Sequence, residues 1–240
     1  MSVAPVPLTI GTGVSQAKLT PNETQFFEHN VSARGGWAYL NHFWAAGTGQ
    51  VDSAIFRFYI DGESEASVVF QPSLACGVGF DDQAAPWGTK WVGKGAKSTG
   101  WFHNIPIIFY KHVRVTYQLA PKDVPNGQGT LWTIVRGAEG LPLQLGNLAL
   151  PLEGGSVKLL LQVKTDVHLK PLEFYDLANV PRGKKGSIFM TSLFVNSTKN
   201  YNCRLTRART QRLLQCTIWL TTPSRPGGRH GGLLSPLSGR

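Results

Sequence analysis

Charged side chains are scarce in this chain, 16% of its 240 residues, while apolar residues reach 42%. That balance excludes a wholly disordered chain and a long coiled coil, both of which replace buried apolar surface with charge. Cysteine is scarcer still: Cys76, Cys203 and Cys216 are too few and too scattered for a disulfide scaffold, and they fit a reducing compartment or no redox role. No window approaches the roughly eighteen consecutive apolar residues of a membrane-spanning helix, so no membrane partner is expected. The start, Met1-Ser-Val-Ala-Pro-Val-Pro7, lacks a basic stretch leading into an apolar one. No secretory signal is therefore expected, and the reading leans to the cytoplasm. The six histidines show no metal-ligand spacing and no cysteine at a finger-like interval, so neither metal nor cofactor is expected. A Gly-x-Ser-x-Gly elbow is also missing, which leaves serine-hydrolase chemistry without support.

Glycine, proline and tryptophan are plentiful, at 27, 15 and 7 residues, and suit a loop-rich β protein. Val113, Val115 and Tyr117 alternate with His112, Arg114 and Thr116, the period of a half-buried strand. Val157, Leu159, Leu161 and Val163 do the same against Lys158 and Gln162. Further strands are expected at Ala38–Ala46, Ala54–Ile60, Ser67–Gln71, Ile105–Phe109, Leu131–Arg136, Leu143–Leu148, Leu172–Tyr175 and Ile188–Val195. Turn chemistry separates them at Asp61-Gly62, Pro125-Asn-Gly127, Gly137–Gly140, Gly154-Gly155 and Pro181-Arg-Gly183. The expected fold is all-β: antiparallel sheets packed as a sandwich or jelly roll over residues 20–202, after an N-terminal segment, 1–19.

Acid is absent altogether from residues 203–240, which carry Arg204, Arg207, Arg209, Arg212, Arg225, Arg229 and Arg240. The chain's net charge is +10, but without those arginines 17 basic and 14 acidic residues remain in 1–202, a net of +3. The basicity belongs to the tail, so nucleic acid is not the expected partner of the body. The tail is expected to be mostly disordered, with a short helix around Thr206–Gln215. Taken at face value it is a basic arm for nucleic acid or an acidic surface.

From Cys76 to Gly100 runs a long stretch with no strand pattern, the kind of loop that is functional or disordered. Trp87, Trp91 and Trp101 fall in or beside it with the pair Asp81-Asp82. Aromatic rings pack against the C–H faces of a sugar and carboxylates hold its hydroxyls, so these five residues are the candidate substrate-binding set. The alternative is that the tryptophans pack the loop onto a sheet. Gly93-Lys-Gly-Ala-Lys97-Ser98 lacks the glycine spacing of a phosphate loop and reads as a flexible segment. His42 and His103 sit in aromatic company and read as packed or hydrogen-bonded histidines before catalytic ones.

Gly36-Trp-Ala-Tyr-Leu-Asn-His-Phe-Trp44, Phe56-Arg-Phe-Tyr-Ile-Asp-Gly-Glu63, Gly77-Val-Gly-Phe-Asp-Asp-Gln-Ala-Ala-Pro-Trp-Gly-Thr-Lys-Trp91 and Ile105-Pro-Ile-Ile-Phe109 together resemble a known family. It is the domain of unknown function 2961, placed in glycoside hydrolase family 172. Arg136-Gly-Ala-Glu-Gly-Leu-Pro142 and Lys170-Pro-Leu-Glu-Phe174 continue the likeness, which spans residues 20–202. The resemblance implies a first jelly roll of two, trimeric assembly, and action on fructofuranosides or arabinofuranosides. It also implies two glutamates, nucleophile and acid/base, whose carboxyl groups lie about 5–5.5 Å apart in a retaining enzyme. Their segments, Asn-Phe-Leu-Glu-Gly-Cys and Gly-Thr-Glu-Asp-Tyr, do not occur here. After Lys199-Asn-Tyr-Asn202 the chain turns to Cys203-Arg-Leu-Thr-Arg207, as an altered reading frame or alternative exon would produce. No catalytic residue is therefore assigned. The expectation is a catalytically incomplete furanosidase-like protein that holds a furanoside-containing glycan; a non-catalytic interaction or assembly module is the alternative.

Overall fold

The computed structural model describes residues 8–33, 35–48, 54–72, 87–94, 100–121, 129–145, 148–150, 158–169, 174, 176, 184–196 and 211–223. Among them the elements are all strands: β1 (Leu8–Leu19), β2 (Thr24–Asn30), β3 (Ala38–Thr48), β4 (Ile55–Ile60), β5 (Val68–Phe70), β6 (Trp87–Gly88), β7 (Val92–Lys94) and β8 (Trp101–His103). They continue as β9 (Ile107–Phe109), β10 (His112–Gln118), β11 (Gly129–Glu139), β12 (Leu143–Leu145), β13 (Leu148–Leu150), β14 (Lys158–Leu169), β15 (Lys184–Asn196) and β16 (Gln211–Pro223). The larger sheet runs β1-β11-β3-β8-β7-β6, with β9 also on β3; the second runs β2-β10-β4-β5. Every strand pair is antiparallel.

The two sheets face each other across an aromatic core, which makes the fold an antiparallel β-sandwich. Phe43 on β3 meets Phe56 on β4 at 4.8 Å between ring centroids and Phe70 on β5 at 5.2 Å, both edge-on. Phe56 and Phe58 stack on Phe70 at 5.8 Å each. All four rings are buried, and the alternation read from sequence puts their neighbours Arg57, Tyr59 and Trp44 on the outer faces. Burying such a ring contributes about 1.5–3 kcal/mol, so this cluster holds the sheets in register.

Several expectations change. The expected strand Leu143–Leu148 is divided between β12 and β13, which pair antiparallel with Leu145 opposite Leu148. Residues 8–19, set outside the sandwich by the sequence reading, form its edge strand β1 along β11. A register shift between Val14 and Ala17, with Gln16 at φ 56°, breaks the alternation that would have revealed it. The stretch 76–100 contains β6 and β7, which pair with each other, and β7 also pairs with β8. Within the tail, residues 211–223 form β16, the middle strand between β14 and β15, so the expected helix does not extend over 211–215. Leu214, Cys216, Ile218 and Leu220 alternate with Gln215, Thr217 and Trp219, a strand pattern masked by the surrounding arginines. The rest of the tail, and most of the expected strand Leu172–Tyr175, lie outside the described residues.

Candidate functional site

The three tryptophans lie at one end of the larger sheet. Trp101 on β8 is fully buried, facing the core, with the Lys94 ammonium 5.2 Å from its ring centroid. Trp91 is half-buried against the core, and the Lys90 ammonium lies 4.7 Å from its ring. Trp87 pairs with Lys94 across β6 and β7. Asp81 and Asp82 lie outside the described residues. Trp101 is thus a packing residue, buried in the core.

The two histidines separate. His42 Nδ1 lies 2.8 Å from Asn104 Oδ1, while Asn104 Nδ2 donates to Lys90 O at 3.2 Å and Asn104 N–H to Trp91 O at 2.6 Å. Thr89 Oγ1 accepts from Trp91 N–H at 3.1 Å and Val92 N–H at 3.2 Å, closing the β6–β7 turn. His42 and Asn104 therefore staple that turn to β3. His103 is buried, neither ring nitrogen finds a hydrogen-bond partner among the described residues, and burial presses its pKa from 6.5 down to about 4.

The run Ile60-Asp-Gly-Glu63 builds two features. Asp61 and Gly62 both have positive φ, 55° and 86°, and Glu63 N–H closes the turn on Ile60 O at 3.2 Å. The geometry aims Asp61 Oδ1 at the next loop, where it accepts the N–H groups of Tyr110, Lys111 and His112 at 2.9, 2.6 and 3.2 Å. Two residues on, Glu63 accepts a bond from Ser67 Oγ at 2.5 Å on one oxygen and pairs with Lys158 on the other. Glu63, Ser64, Glu65, Ala66, Ser67, Lys158 and Leu161 line an open cleft of about 510 Å³. The volume lies in the range of small-molecule sites. Leu161 N–H also donates to Ser67 O, tying β14 to the lip of the cleft. Asp61-Gly62 reads as a turn in the sequence, and Lys158, about a hundred residues distant, cannot be placed beside Glu63 from sequence alone.

A second carboxylate went unread. Glu139, at the end of β11, is buried at 1% exposure. It accepts from Ser32 N–H at 3.0 Å and from the Ser32 hydroxyl, and its other oxygen lies 2.7 Å from His29 Nε2. Burial alone would raise its pKa; Ser32 and His29 outweigh that and hold it below 4.5. Gly35 packs against the carboxylate so closely that a Cβ would overlap it. The cluster clamps β2 of one sheet to β11 of the other. On the outer face of the smaller sheet, Glu23 accepts from Tyr59 and Thr116, each at 2.7 Å, and pairs with Arg57 at 3.5 Å. Burial raises the Glu23 pKa, but the two hydroxyls and the arginines bring it below its usual value. Arg114 stacks over Tyr59 at 3.8 Å.

Glu23, Asp61, Glu63 and Glu139 are thus engaged as acceptors in ties between strands and loops. Among the described residues no three His, Cys, Asp or Glu side chains group as metal ligands, and no helix is long and apolar enough to cross a membrane. No family model matches the chain, and no curated protein matches it.

Proposed function

We propose that this chain is a catalytically incomplete, furanosidase-like β-sandwich, a first jelly roll of its family, that holds a furanoside-containing glycan without cleaving it. The observation that carries the proposal is the cleft at Glu63. It offers carboxylates and hydroxyls, which accept and donate to sugar hydroxyls, beside the apolar Ala66 and Leu161. Glu63 itself is bonded on both oxygens, a state suited to holding a hydroxyl and unsuited to attacking an anomeric carbon. A retaining glycosidase needs a free nucleophile and a protonated acid across one sugar, and neither family glutamate segment is present in the sequence.

The test is titration of the isotope-labelled protein with methyl fructofuranoside and methyl arabinofuranoside, followed by amide shifts. Shifts should gather at residues 63–67 and Lys158 and vanish in Glu65→Ala. No shift at millimolar sugar contradicts the proposal; shifts confined to residues 87–91 move the site back to the tryptophan loop.

One observation favours an assembly module as the second reading. Trp44, Trp132 and Ile134 share the outer face of the larger sheet and stay half-buried, and Ile134 lies opposite Trp44. An apolar patch on an outer face promotes association. Concentration-dependent sedimentation that disappears in Trp132→Ser would support it, and a clean monomer would oppose it.

A further inference from the structure

Among the described residues, Thr133 and His103 are buried with side-chain polar atoms that find no hydrogen-bond partner, and of the two His103 is the titratable one. β8 sends Trp101 and His103 inward and leaves Phe102 half-exposed between them. The His103 ring stacks on Phe70 of the opposite sheet, 5.3 Å between centroids and 11° from parallel. Its strand partners are Phe43 on β3 and Val92 on β7. Lys94 is the charged group that β7 turns inward, beside Trp101, and it is a cation. The inward residues of β3, β4 and β5 around the stack are Phe43, Ala45, Phe56, Phe58, Val68 and Phe70, none of them titratable. Among the described residues no carboxylate is in place to receive a protonated imidazole, and a bare imidazolium in an apolar core costs several kcal/mol in lost solvation. The strand that carries His103 pairs with β3 over three residues, whereas β11 pairs with β3 over ten, and the His42–Asn104 staple is the further tie that a release has to break. Among the described residues β7 and β6 lie beyond β8, at the end of the sheet.

We propose that His103 is an acid-operated release for this edge: once protonated it leaves the core, and β8, β7 and β6 separate from β3 while the remaining sandwich stays folded. The direction follows from linkage. The released edge binds a proton near the ordinary histidine pKa of 6.5, and the packed edge only near 4. The packed state is therefore fully favoured above 6.5 and loses ground as pH falls toward 4, with the open fraction rising about tenfold per pH unit. Released, the edge uncovers Trp101 and its own backbone bonding groups, so the same acid step would expose a sheet edge on β3.

Hydrogen exchange by mass spectrometry on the full chain tests this, at pH 7.5 and 4.5 with rates normalised to the intrinsic rate at each pH. Protection in peptides covering 87–94 and 101–103 should fall by about 30-fold or more at pH 4.5, with 112–118 and 131–135 unchanged. The fall should be absent in His103→Phe and in His103→Leu. If both variants fail to fold, the wild-type imidazole signals decide: His103 should show no titration above pH 5 while packed. The proposal is overturned by an equal acid response in either folded variant, by simultaneous loss of protection everywhere, by no response in the wild type, or by a packed His103 titrating near 6.5.

Discussion

Glu139 and His103 are buried to the same degree, 1% exposed, yet they meet burial in opposite ways. Glu139 ends a long strand where two elements of the opposite side, β2 and the turn after it, bring donors to both of its oxygens. It stays ionised and becomes a clamp. His103 ends a short strand among phenylalanines, finds no hydrogen-bond partner among the described residues, and stays neutral. The difference shows that burial does not by itself fix the state of an ionisable group; what matters is whether the fold delivers a partner with it.

Removing Glu139 should have the largest effect. Glu139→Ala leaves the Ser32 N–H and His29 without their acceptor and opens a void, a loss of about 3 kcal/mol by urea unfolding. Gly35→Ala should reproduce part of that loss, since its methyl group competes for the carboxylate's position. Acid separates the two groups by window. The Glu139 contribution is present above its ordinary 4.5 and is lost as pH falls through its lower folded value. The His103 contribution is lost earlier, between 6.5 and 4. Between pH 7.5 and 5 the wild type should therefore lose about 2 kcal/mol from His103 alone, and His103→Phe should not. Unfolding midpoints measured across that range give the answer.

Asp61 stands between the extremes, a partly solvated carboxylate with three N–H donors. Asp61→Ala should cost about 1.5 kcal/mol, and Asp61→Asn less, because the amide oxygen keeps an acceptor. The smallest effect belongs to the Lys158–Glu63 pair, whose side chains remain 34% and 26% exposed. Lys158→Ala should change stability by no more than about 0.5 kcal/mol, in keeping with an ion pair largely in solvent.

The sandwich was legible wherever a strand alternates, as at His112–Gln118 and Ile55–Ile60, because a period of two is a local property. β1 was not, since its bulge at Gln16 and its glycines erase the period. β16 was hidden by the composition around it. The polar clusters were harder to read for a different reason. Glu139 acts through residues more than a hundred positions away, and Lys158 reaches Glu63 only because β14 packs beside β5. The tryptophans drew attention by their number, but number does not say which side of a strand a ring takes; Trp101 faces inward because β8 pairs with β3 at Ala45.

The central claim is a carbohydrate-holding sandwich without hydrolytic chemistry, and an assay on aryl fructofuranosides and aryl arabinofuranosides tests it most directly. Purified protein should release no aryl alcohol above a matched blank, even at sugar concentrations that shift the amides of residues 63–67. Turnover above the blank, abolished by changing one acid among residues 1–202 to its amide, would contradict the claim and identify a catalytic carboxylate.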